Sequence, residues 1–153
     1  MARNKISAYT LLETVIIIGV FSALALIFLP VSIEQIQSSK IESVVKDVQS
    51  LIYSQSQSAY AYKANKSYGI AFYSDHYIVF SGESLSEADS QTRYDLSSEI
   101  KINNINFNDA GIELRFAKGT FRPHTFGSLE ISTSYSTFQI TINTEGLILV
   151  NKL

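Results

Sequence analysis

Few residues in this chain are of types and spacings that do chemistry. Its two histidines, His76 and His124, are far apart and each falls at a turn. Cysteine is absent, which excludes disulfides and thiolate metal sites. A zinc site would therefore need both histidines plus carboxylates from distant loops, and solvated turn histidines are the expectation. The serines include no Gly-x-Ser-x-Gly nucleophile elbow, and no glycine-rich phosphate loop occurs. Glu83, Glu87 and Asp89 fit no calcium-ligand spacing and read as an acidic, solvated loop. Arg115, Lys118, Arg122 and His124, with Phe116 and Phe121 among them, form the best nucleic-acid candidate, cations for phosphates and rings for bases. Strand alternation alone, however, sends Leu114 and Phe116 inward and Arg115 outward. After Phe138 only Lys152 adds positive charge, and a formal net charge of -2 is a poor start for neutralising phosphates. No enzyme, metal or cofactor is expected, and nucleic acid is not an expected partner.

The remaining candidate is Glu13. Residues 1–7 are short and polar, with Arg3 and Lys5, and between Ala8 and Leu29 Glu13 is the one charged residue. At about 1.5 Å per residue that run reaches roughly 33 Å, the length that crosses a hydrocarbon core. Basic residues ahead of it and none just behind predict a cytoplasmic N-terminus with the remainder outside. A carboxylate in such a span is costly and tends to be kept where a partner offsets the cost. The small pair Ser7–Ala8 precedes the apolar run, whereas an ordinary secretory signal is cut after it. Cleavage there would remove the basic residues and leave an amine on Tyr9, with a reference pKa of about 8 and hence cationic at neutral pH. In a bundle of such helices that amine can meet Glu13 of a neighbour and set axial register, because breaking a buried pair is costly.

The run Ser7-Ala8-Tyr9-Thr10-Leu11-Leu12-Glu13-Thr14-Val15 resembles the class III signal of type IV pilins and pseudopilins. Their pattern is glycine, then Phe-Thr-Leu-Ile-Glu, then a long apolar helix. Tyr9 matches the aromatic first mature residue, Thr10 the second and Glu13 the glutamate, and Pro30 falls where pilins kink this helix. Ala8 stands where the family has glycine. The resemblance implies cleavage between Ala8 and Tyr9 by a prepilin peptidase and N-methylation of Tyr9. It implies filament assembly through Thr10, Leu11, Leu12 and Glu13. The implied partners are other pilins or pseudopilins, through packing of this helix, and an inner-membrane assembly platform. The implied location is a single pass through the cytoplasmic membrane, followed by a filament.

Beyond Pro30, apolar residues recur at Ile33, Ile36, Ile41, Val44, Val45, Val48, Leu51, Ile52, Ala59 and Tyr62, mainly three and four apart, which predicts one buried helical stripe. The helix is expected to run to about 64–67, with the serine- and glutamine-rich stretch 50–58 as its polar face. After Tyr68 the period becomes two. A hairpin is expected around 74–76, a long exposed loop over 81–98, and strands at 100–107, 112–116, 129–133, 138–142 and 147–151, the last two joined by the turn 143–146.

This order predicts an α+β fold of the pilin kind: a long N-terminal helix, half membrane-spanning and half amphipathic, packed on a C-terminal antiparallel sheet or sandwich. The segments are then a leader (1–8), a transmembrane and polymerisation helix (9–29), an amphipathic half (30–67) and an extracytoplasmic β-rich domain (68–153). The stretches Leu51–Ala59, Ile70–Phe72, Leu114–Thr120 and Phe138–Val150 are similar to the H-type minor pseudopilin of type II secretion, the FimT-type minor pilins and the competence pseudopilins. The expected function is a minor pilin or pseudopilin. Its rivals are a DNA-binding pilin of natural transformation, contacting DNA through Arg115, Lys118 and Arg122, and a signal-anchored extracytoplasmic binding domain that never polymerises.

Overall fold

A computed structural model describes residues 10–61 and 65–153, with the side chains of 26–34 excepted. The chain divides into two compact units, Met1–Ile36 and Gln37–Leu153. Helix α1 (Leu11–Tyr60) is described with its side chains in two stretches, 11–25 and 35–60.

The expected long N-terminal helix with a membrane half is corrected here. Among the described residues no helix is long and apolar enough to cross a membrane. The reason is length and composition. Stretch 11–25 rises about 22 Å, against a hydrocarbon core of about 30 Å, and it opens with Glu13 in its first turn. Stretch 35–60 is long enough but carries Lys40, Glu42, Lys46 and Asp47. The transmembrane segment at 9–29 and the single-pass location in the cytoplasmic membrane fall with it. What remains is a small α+β fold.

In the second unit the helix shows the expected stripe. Ile41, Val45, Val48, Ile52 and Ala59 are buried at steps that return to one face. The residues between are exposed or partly so, except Gln55 and Ser56, which are buried within the stretch expected to be the polar face. Eight strands follow: β1 (Tyr68–Phe72), β2 (His76–Ser81), β3 (Ser90–Asp95), β4 (Lys101–Phe107), β5 (Glu113–Phe116), β6 (Gly127–Ser132), β7 (Thr137–Ile142) and β8 (Ile148–Lys152). They form two sheets, ordered β3-β2-β1-β5 and β4-β6-β7-β8, with every pairing antiparallel. The helical stripe shares one apolar core with Ile70, Phe72, Leu114 and Phe116 of the first sheet and Leu129, Ile131, Ile140 and Ile142 of the second.

The strands follow from their side chains. β7 alternates strictly, with Phe138, Ile140 and Ile142 buried, which fixes its register, since a one-residue slip would expose all three. Between β4 and β6 the register shifts at a bulge, between Asn103 and Asn106. Gly127 meets it with φ +149°, where a Cβ would run into the Asn106 carbonyl, so only glycine fits. The β7–β8 turn is closed by Asn143, whose Oδ1 accepts from the amides of Glu145 (3.0 Å) and Leu147 (2.8 Å), with Gly146 at φ +84°.

Two further expectations change. The helix ends at Tyr60 rather than near 64–67. The expected loop at 81–98 contains a 3-10 turn at Leu85–Glu87 and the whole of β3, paired to β2. All six β3 residues are exposed. With neither face buried, the strand carries no apolar alternation.

Candidate functional site

The first turn of α1 is built by a local rule. Thr10 precedes the helix, and its Oγ1 accepts from the Glu13 amide at 3.2 Å while its carbonyl accepts from the Thr14 amide at 3.2 Å. Thr10-Leu-Leu-Glu13 is thus a Ser/Thr-x-x-Glu helix start, with threonine as N-cap and the glutamate three residues on. The carboxylate also sits at the positive end of the helix dipole. This double duty of Thr10 and Glu13 was open to the sequence and is missed when both are read as assembly residues alone.

Beyond that turn, nearly every side chain is apolar and in solvent. Leu11 is 85% exposed and Phe21 69%, and Leu12, Val15, Ile16, Ile17, Ile18, Val20 and Leu24 are also exposed. At 100° per residue these positions occupy every side of the helix, and Glu13, Thr14, Gly19 and Ser22 form no common polar face. A helix that is apolar all round is a buried helix in its working state. Exposed apolar area of this extent marks an interaction surface. The pair Ala8–Tyr9, expected to be cut, lies outside the described residues, and Pro30, the expected kink, lies within α1 among those whose side chains are not described.

The basic cluster does not stay together. Arg115 Nη2 donates to Asp109 at 2.8 Å, and its Nε stands 4.0 Å from a Glu113 oxygen. Arg122 Nη2 is 2.7 Å from Glu145. Phe116 is buried in the core and offers no ring to a base, while Lys118 is exposed. The segment instead clasps the end of α1. The Gly119 amide donates to the Ala59 carbonyl at 2.8 Å, Ser56 Oγ donates to the Phe121 carbonyl at 3.3 Å, and the Phe121 ring stacks on Tyr60 at 3.8 Å. A helix ends with unpaired carbonyls, and this loop supplies a donor to one of them.

The other polar candidates are likewise engaged locally. Glu83 accepts from Ser67 Oγ at 2.9 Å, and Asp89 pairs with Lys66 at 3.0 Å. His76 bonds Asp75 at 2.7 Å and stacks on Tyr73, and that hydrogen bond is the main reason the Asp75 carboxyl lies below its ordinary pKa. The His124 amide donates to the Arg115 carbonyl at 2.7 Å, far along the fold from His76. Among the described residues no three potential metal ligands converge.

The chain matches no family model, no curated protein and no solved structure.

Proposed function

We propose that this chain is a structural filament subunit of the type IV pilin and pseudopilin class, a minor pilin or pseudopilin, and that helical stretch 11–25 is its polymerising segment. The observation that carries the reading is the exposure of apolar side chains on every side of that stretch, beyond a first turn holding a single carboxylate, Glu13. Packing against neighbouring helices buries such a surface and sets no minimum length, whereas crossing a bilayer does. In this reading a prepilin peptidase cuts between Ala8 and Tyr9, the Tyr9 amine is methylated, and it meets Glu13 of the adjacent subunit. The second unit then supplies the head that the filament displays.

The test is Glu13→Val, with the mature N-terminus identified by mass spectrometry in the same samples. Correct processing at Tyr9 with filament incorporation reduced by about tenfold or more, as expected for losing one member of a buried charge pair, supports the reading. Processing together with wild-type incorporation rejects the Glu13–amine pair. A chain that keeps residue 1 rejects the class.

A further inference from the structure

We propose that the groove between α1 and β3 binds an extended segment of a partner protein, which adds to the free edge of β3 and sets an arginine or lysine side chain against Asp47 and the Tyr94 ring. This goes beyond the filament reading and does not depend on it.

β3 ends its sheet, with β2 on one side and no strand on the other, and all of Ser90–Asp95 is exposed. Such an edge presents unpaired backbone donors and acceptors, a template for another strand. Natural edges are blunted by proline, a bulge, charged side chains or a covering element, and the two charges of β3, Arg93 and Asp95, are spent on each other. β3 contains no proline, and it pairs with β2 in unbroken register.

Beneath this edge lies a groove of about 580 Å³, walled by Ser43, Val44 and Asp47 of the helix and floored by Tyr77 and Tyr94 with Leu96. Tyr94 stacks on the buried Tyr77, centroids 5.2 Å apart and planes within 15°, and stays 39% exposed. Its ring therefore has surface left to offer.

The charges in the groove are not balanced. Its two cations are already held, Lys40 by Glu99 at 3.4 Å and Arg93 by Asp95 at 2.7 Å. Asp47 has no ion-pair partner among the described residues. The unspent charge is thus one carboxylate in a groove that also holds the Tyr94 ring, a combination suited to an ammonium or guanidinium group. Side chains on neighbouring strands point to the same face at matched positions, so a residue added alongside Tyr94 projects toward the Asp47 side of the groove. An acidic residue there would meet the unpaired carboxylate of Asp47.

The experiment titrates the full chain with the capped pentapeptide Ac-Thr-Val-Arg-Val-Thr-NH2, following amide chemical shifts. The peptide should perturb Ser43–Asp47 and β3, and should bind about tenfold more tightly than the same peptide with glutamate at its centre. Asp47→Asn, checked for an unchanged circular dichroism spectrum, should lower that preference to about twofold or less. Two N-methylated peptides, one modified on odd and one on even amides, separate strand addition from loose contact, because only amides facing β3 are needed. One of them should lose binding and the other keep it. Equal binding of both, equal affinity for the arginine and glutamate peptides, or no binding at millimolar peptide each overturns the proposal.

Discussion

The two described stretches of α1 use similar side chains to opposite ends. In 35–60 the large apolar residues recur along one face, and Ile41 and Ile52 have no exposed surface at all. In 11–25 residues of the same kind, Leu11, Leu12, Ile16 and Phe21, lie open to solvent on all sides. The difference is one of pattern. A stripe can be satisfied by the chain's own two sheets, while an all-round apolar cylinder needs more neighbours than one chain supplies. The second stretch builds the fold, and in the proposed reading the first is the surface kept for assembly.

The comparison can be broken most sharply by truncating matched residues. Ile52→Ala leaves a hole in a closed core and should cost about 3 kcal/mol in urea unfolding. Leu12→Ala should stay within about 0.5 kcal/mol, because nothing folded rests on that side chain. Equal losses would mean that the first stretch is part of the fold. A smaller effect probes how each stretch is held at its outer end. Thr10→Ala removes the N-cap and should cost about 1 kcal/mol, seen as faster amide exchange at Glu13 and Thr14 with the unfolding midpoint of the second unit unchanged. At the other end, Arg122→Ala breaks an exposed ion pair in the clasp and should cost no more than about 0.5 kcal/mol.

Acid provides the gentlest probe, read at Asp75 of the second unit. Asp75 titrates below its ordinary 3.8 because of its hydrogen bond to His76. Its lowered folded pKa adds stability that is present above 3.8 and is lost as the pH falls through the folded value. Asp75→Asn should flatten that part of the stability profile, read as unfolding midpoints between pH 5 and 2 at roughly one-unit steps. The Asp75 side chain is exposed, so this effect should be the smallest of the set.

What could be read from the residues follows the same division. The stripe from Ile41 to Ala59 and the alternation of β7 were legible because burial on one face leaves a period in the sequence. β3 was not, since exposure on both faces leaves none. The helix start at Thr10-x-x-Glu13 was written plainly, but the likeness to a pilin signal drew attention to another role for the same residues. The cluster Arg115, Lys118 and Arg122 looked like one basic site because it is compact along the chain. In the fold, Asp109 and Glu145 take two of its members in different directions, and pairings of that kind have no local signature. The membrane length expected between Ala8 and Leu29 came from counting apolar residues. It is not met by the described helix.

The absence of cysteine allows one direct measurement. Ile16→Cys and Ser50→Cys each place a single thiol on α1, at positions that are both exposed in the isolated chain. Each is labelled with a maleimide, first in the monomer and then in the assembled fraction. If stretch 11–25 is the polymerising surface, the two thiols react at similar rates in the monomer, and assembly slows Cys labelling at position 16 by about tenfold or more while leaving position 50 open. Equal labelling of both positions in the assembled fraction would contradict it.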